Sequence, residues 1–282
     1  MEIRQLGAAD AGALDAFLQR HRDSSMFLRS NARRAGLEYR GERYQAEYTA
    51  AFEHDAMVGV VSHSWSGMLL VQAPEHVETL ACACVAFSKR KVTGFSGPAE
   101  QTTRAVRALA LADAPMALHG NETLYAVSLS EILIPEALSS GVVVCREPHP
   151  AEHEALHAWR YAYDLETLGA PDNEETRARS REFLDAQLGE RNAWIALHEG
   201  RPVSLSAFNA TLPDMVQLGG IYTPPSERGR GYARAAVAAS LLAARERGAE
   251  RAVLFTLNPS AIRCYEAVGF RAIGSYSLRL LA

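Results

Sequence analysis

Lysine is almost missing from this chain of 282 residues: Lys89 and Lys91 are the only two, and arginine carries the rest of the positive charge. There is no basic block and the formal net charge is −4. That argues against a nucleic-acid partner, because binding a phosphate backbone needs clustered cations. Cysteine is scarce too. Cys82, Cys84, Cys145 and Cys264 form neither a zinc spacing nor a C-x-x-C pair, so reduced thiols in a cytoplasmic protein are expected. Hydrophobic residues make up 48% of the chain, yet no apolar run is long enough to span a bilayer. The opening MEIRQLGAAD lacks the basic-then-apolar pattern of a signal peptide, and no membrane partner is expected. Two nucleotide-binding turns are also absent, G-x-x-x-x-G-K-[ST] and G-x-G-x-x-G.

What is present centres on residues 216–244. Val216, Leu218, Ile221 and Tyr222 have the content of a strand, and Pro224-Pro225 stops it because proline offers no N–H to a ladder. Arg228-Gly229-Arg230-Gly231-Tyr232-Ala233 follows, with glycines that tolerate left-handed backbone and let a ligand approach the main chain. The alanine-rich run that ensues has high helix propensity. A helix starting there leaves its first N–H groups and its positive dipole end open to phosphate, with Arg228, Arg230 and Arg234 nearby. Next comes a buried-type strand, 252–257. Asn258 then suits an N-cap, Pro259 a first turn, and Gly269 a helix end.

These two stretches together resemble the GNAT family, the GCN5-related N-acetyltransferases. Arg228-Gly229-Arg230-Gly231-Tyr232-Ala233 is similar to its R-x-x-G-x-G/A loop. Asn258, Ala261, Tyr265, Glu266, Gly269 and Phe270 are similar to its N-x-x-A-x-x-x-Y-E-x-x-G-F segment. The resemblance covers roughly residues 142–282. It implies acetyl-CoA as cosubstrate, with Ile221, Tyr222 and Thr223 alongside pantetheine and residues 228–234 (Arg228, Gly229, Arg230, Gly231, Tyr232, Ala233, Arg234) around the pyrophosphate. Asn258 either contacts the pantetheine arm or only caps its helix. Tyr265 matches the position that donates a proton to the leaving thiolate; taken alone it reads rather as a core tyrosine with its hydroxyl bonded elsewhere, and the full motif favours the acid.

The first half repeats the order of the second faintly. Strands are expected at 2–6, 56–62, 68–72, 92–95, 124–129 and 131–138, with helices after Asp10, over 75–89 and around Val106. Residues 25–50 read as exposed helix, and Ser96-Gly97-Pro98 as a turn. The fold class is therefore α/β (α+β): two tandem GNAT-like domains, 1–140 and 141–282, each a mixed, mostly antiparallel sheet flanked by helices. Where the first half should hold a phosphate loop it has Ala73-Pro74-Glu75-His76-Val77-Glu78, whose carboxylates repel pyrophosphate, so that half is not expected to bind CoA. In the second half a strand at 142–145, a helix from about Pro150, a capping box of Asp172 with Glu175, and a 193–198/203–209 hairpin are expected. Residues 278–281 close the sheet.

The function this points to is N-acyl transfer to a small-molecule amine; the alternative is a CoA-binding sensor or scaffold without turnover. His198, Asp164 and Glu166 are possible bases, and none is assigned. His153 and His157 stand one turn apart, yet no third ligand is evident, so a solvated face is expected and no metal.

Overall fold

The computed structural model describes all residues, 1–282. In chain order the elements are β1 (Glu2–Gln5), α1 (Ala11–Arg20), α2 (Met26–Ala35), β2 (Ala46–Glu53), β3 (Ala56–Ser64), β4 (Met68–Gln72), α3 (Val77–Ser88), β5 (Gly94–Pro98), α4 (Ala99–Ala108) and β6 (Met116–Ser128). There follow α5 (Glu136–Ser139), β7 (Val143–Arg146), α6 (His153–Leu168), α7 (Glu174–Gly189), β8 (Ala193–His198), β9 (Arg201–Thr211), β10 (Met215–Leu218), α8 (Tyr232–Glu246), β11 (Arg251–Thr256), α9 (Pro259–Glu266) and β12 (Arg271–Leu281). Apart from the one-turn α5, the same order of strand, two helices, three strands, helix, strand, helix, strand occurs twice. No helix is long and apolar enough to cross a membrane.

Two compact units form, and their limits differ from a division at 140/141. The first is Met1–Leu124 with Ile273–Ala282; the second is Tyr125–Ala272. In the first, β1 to β4 pair antiparallel in sequence order and β4 pairs parallel with β5. The final strand was expected to close the sheet of the second half. Instead β12 from Ile273 onward belongs to the first unit, where it pairs antiparallel with β5. Side chains alternate between two cores. Tyr48, Ala50, Val60 and Leu70 pack with Leu14, Phe17 and Leu18 of α1. Ala51, Val61, Leu69 and Val71 pack with Leu80 of α3 and Val106 of α4. This is the period-2 pattern of a sheet covered on both faces.

The second unit has the antiparallel series β7-β8-β9-β10 and a parallel β10–β11 pair. Ile195, Leu197, Leu205 and Ala207 meet Leu156 of α6 and Leu184 of α7. Trp194, Phe208 and Val216 meet Val237 and Leu241 of α8.

Four local expectations change. Residues 25–50 are not one exposed helix. Met26 and Leu28 of α2 are buried, and 46–53 is a strand whose Tyr48, Ala50 and Ala51 are buried. Residues 131–138 do not form a strand, because Leu133 N–H donates to Val268, Leu133 and Ile134 are exposed, and Pro135 starts the one-turn α5. The cap of α7 is Asn173, which accepts from Thr176 N–H at 2.8 Å; Asp172 instead accepts from the Tyr161 hydroxyl. Ser96-Gly97-Pro98 is the end of β5 rather than a turn.

Gly94 shows how closely β5 and β12 are fitted. A Cβ there would lie 2.3 Å from the Arg279 carbonyl oxygen and 2.6 Å from Met68 Sδ. Backbone cannot yield as a side chain can, so Gly94→Ala is expected to lower stability by about 1–3 kcal/mol in urea denaturation. An unchanged midpoint would contradict this pairing.

Candidate active site

The second unit contains a cleft of about 430 Å³, lined in part by Ile221, Tyr222, Thr223, Arg228, Gly229 and Gly231. Tyr232, Ala233, Arg234 and Asn258 also line it. Two predicted residues are not on its wall: Arg230, and Tyr265, which packs edge-on to Phe270 at 5.8 Å in the core and is 7% exposed.

The cleft opens where two strands part. β10 and β11 are in register only from Met215↔Arg251 to Gln217↔Val253. A register shift between Gln217 and Leu218 and the left-handed Gly220 (φ 73°) interrupt β10, so the strand is shorter than the expected run to Tyr222. The chain stays on β9 through Gly219, whose N–H donates to the Ala207 carbonyl at 3.0 Å, and meets it again at the isolated bridge Leu205↔Tyr222, with N···O distances of 2.8 and 3.0 Å. Between the two contacts, the N–H groups of Gly220 and Ile221 donate to no main-chain carbonyl.

After Pro225–Glu227, which forms a single 3-10 turn, the chain enters α8 through Gly229 (φ 79°) and Gly231 (φ 81°). A Cβ built at either glycine meets nothing within 4 Å. The requirement for glycine is thus the backbone angle, and the main chain stays uncovered on that side. Gly231 is the N-cap of α8 and no side chain caps the helix. Its first N–H groups are left to solvent or to a ligand.

The arginines divide into two kinds. Arg228 is held by protein: Nη2 donates to Glu166 Oε2 at 2.6 Å and Nε to the Thr223 carbonyl at 2.9 Å. Tyr222 Oη donates to Glu166 Oε1 at 3.0 Å, completing the clamp. Arg230 pairs with Glu227 at 3.3 Å. Arg234 and Arg263 line the cleft without a carboxylate partner; Arg263 donates only to Ser260 Oγ. The free positive charge beside the helix start therefore comes from these two. Arg263 was not singled out from sequence, because a lone arginine in α9 carries no pattern.

The remaining candidates are placed as follows. Asn258 Oδ1 accepts from Ser260 and Ala261 N–H at 2.9 and 3.3 Å, so it caps α9 and also lines the cleft. Asp164 is buried and satisfied by Arg160 and Ser180. The His198 ring lies 5.3 Å from that of Tyr232. His157 is 9% exposed and bonds Asp185 at 2.7 Å, which replaces the expected solvated face. Burial pushes the Cys264 thiol up to about 11, so it stays protonated at neutral pH. At the matching turn of the first unit, His76 stands left-handed before α3, bonded to Glu53 at 2.6 Å and close to Glu75. That turn is acidic where the turn before α8 is cationic.

Residues 155–270 match the sequence profile of the acetyltransferase (GNAT) family. An acetyltransferase of Agrobacterium fabrum is 43% identical over 60 residues, which is 21% of this chain and 42% of that protein. The match thus spans about two fifths of that relative's length. Among solved structures, a GCN5-related N-acetyltransferase from Sphaerobacter thermophilus superposes with a TM-score of 0.59 at 16% identity, over 99% of this chain and 94% of that one. A tandem GNAT protein from the clavulanic acid biosynthesis pathway gives 0.52 at 16% identity, over 100% and 98%. These likenesses establish a GNAT fold.

The Arg228 guanidinium, and then the Tyr222 hydroxyl, hold the Glu166 carboxyl below its ordinary range. A depressed folded-state value contributes stability present above the unfolded value and lost as pH falls through the folded one. An NMR titration is expected to place Glu166 below an ordinary glutamate in the native protein and to move it upward in Arg228→Gln. The same midpoint in both proteins would show that the clamp does not form.

Proposed function

We propose that this chain is an acyl-CoA-dependent N-acyltransferase that moves an acetyl group from acetyl-CoA to a primary amine of a small molecule. One observation supports it above the others. The uncapped start of α8 opens on a cleft beside two unpaired arginines, at the point where β10 and β11 part. Main-chain donors at a helix N-terminus suit a diphosphate, and the open faces of Gly229 and Gly231 leave room for one.

In this reading bound acetyl-CoA supplies an activated thioester. The amides of Gly231, Tyr232 and Ala233 hold the diphosphate, with Arg234 and Arg263 adding charge. Arg228, clamped by Glu166 and Thr223, fixes the turn rather than the ligand. Ile221, Tyr222 and Thr223 flank the pantetheine arm as an added strand would. The N–H groups of Gly220 and Ile221 are donors for a developing oxyanion. Tyr265 delivers a proton from Oη to the departing sulfur, an effect worth about a hundred- to ten-thousand-fold. Glu166, ion-paired and kept anionic, is a poor general base, and the base is left unassigned.

A CoA-binding protein without turnover is the second reading, favoured by the burial of Tyr265 away from the cleft wall. A panel of small primary amines with acetyl-CoA, followed by release of free thiol, separates the two. The enzyme reading expects at least one amine to turn over and Tyr265→Phe to lower kcat by about a hundredfold or more with CoA affinity unchanged. Tight CoA binding with no turnover across the panel would favour the second. Normal turnover by Tyr265→Phe would remove that residue from the mechanism.

A further inference from the structure

The first unit has a pocket of its own, about 510 Å³, bounded by α4, the connection after it, β6 and β12. Its unusual member is Arg279. This side chain is 5% exposed, yet its hydrogen-bond partners are Thr103, Ser277 and Asn121, none of them a carboxylate. The acidic residues nearest in sequence on the surrounding elements are Glu100, Asp113 and Glu122, and none lines the pocket. Glu122 is pushed up to about 7 by burial, the opposite of what a guanidinium partner does. A buried cation without a counter-charge is costly, and most such groups in proteins are paired.

The hydrogen bonds of Arg279 aim it. Nη2 donates to Thr103 Oγ1 at 2.6 Å, and Thr103 gives its own proton to the Ala99 carbonyl. Nε donates to Ser277 Oγ at 3.1 Å, and Ser277 gives its proton to the Gly120 carbonyl. Nη2 also reaches Asn121 Oδ1 at 3.5 Å. Both hydroxyls are thus turned so that they can only accept from the guanidinium. Nη1 makes none of these bonds. Two N–H donors on a buried, immobilised, unpaired cation are left for whatever occupies the pocket.

The rest of the wall narrows the ligand. Exposed Arg107 and His119 stand at the pocket, so a second positive charge is available near the first. Val106, Met116, Ala112 and Ala114 supply an apolar side. Burial and then Arg107 lower the proton affinity of Arg279, and an anion between the two guanidinium groups would screen their mutual repulsion and supply the missing counter-charge. A fixed guanidinium edge matches the two oxygens of a carboxylate, and the aliphatic wall matches a short hydrocarbon body.

We propose that this pocket binds a small organic carboxylate with an aliphatic body, its carboxylate on Arg279 Nη1 and facing Arg107. The site lies wholly within the first unit and does not depend on the thioester chemistry assigned to the second.

Isothermal titration of the full chain with 3-methylbutanoate tests it, against the neutral 3-methylbutanamide and inorganic phosphate. Saturable binding of the carboxylate is expected, with no comparable signal from the amide or from phosphate. Arg279→Gln should weaken binding at least about tenfold. Should that variant fold poorly, Arg107→Gln at an exposed position carries the test and should weaken binding several-fold. Arg228→Gln should leave it unchanged. Absence of saturable binding, equal binding of the amide, tighter binding of phosphate, or an affinity indifferent to Arg107→Gln would each overturn the proposal.

Discussion

The site in the second unit depends on one constraint, the left-handed backbone at Gly229 and Gly231 that brings the chain into α8 without a capping side chain. A serine or aspartate at the cap would satisfy one of the first N–H groups internally and, relative to glycine, stabilise the helix by roughly a few tenths of a kcal/mol. Here that stabilisation is forgone, and the donors stay available. What permits it is the rest of α8. Ala235, Ala236, Val237, Ala238 and Leu241 are all fully buried, and the alanines let the helix lie close on β8 and β9. Burying Val237 and Leu241 alone is worth roughly 1.5–3 kcal/mol each, which outweighs a missing cap. A helix held so firmly along its length can afford an unsatisfied start.

The same trade occurs in the strand. β10 stops pairing with β11 after Gln217, while its ladder to β9 shifts register at Leu218, keeps the bond from Gly219 N–H to the Ala207 carbonyl and resumes at the Tyr222–Leu205 bridge. The interruption releases two N–H groups and separates β10 from β11. It is stabilised on one side by the core around Val216, Leu218 and Leu254, and on the other by the clamp of Glu166 on Tyr222 and Arg228. Rigid flanks thus position an irregular segment, the arrangement expected where main chain contacts a ligand.

Much of this was legible in the residues, for identifiable reasons. Pro224-Pro225, the paired glycines and the alanine run each restrict local backbone, so the strand, turn and α8 could be placed closely. Asn258-Pro259 marked the start of α9 in the same way. The ion pairs could not be read. Glu166 and Arg228 are far apart in the chain, and nothing local tells that the clamp spends the charge of Arg228 on the turn itself, leaving Arg234 and Arg263 to face the cleft. Residues 46–50 of β2 read as exposed helix because Glu42, Arg43, Tyr44, Glu47 and Tyr48 lie close together, while the burying residues include the small alanines Ala46, Ala50 and Ala51, which have weak strand preference. Sequence order suggests the second half for the final strand; its place beside β5 is a tertiary choice that no local signal carries. Arg279 reads as an ordinary strand residue until its neighbours are seen to include no acid.

The central claim is that main-chain donors at the start of α8 hold a diphosphate, and amide NMR tests it most directly. The backbone resonances of Gly231, Tyr232 and Ala233 should shift when CoA is added and stay in place with pantetheine, which lacks the diphosphate. Shifts of equal size with both compounds, or none with CoA, would contradict the account.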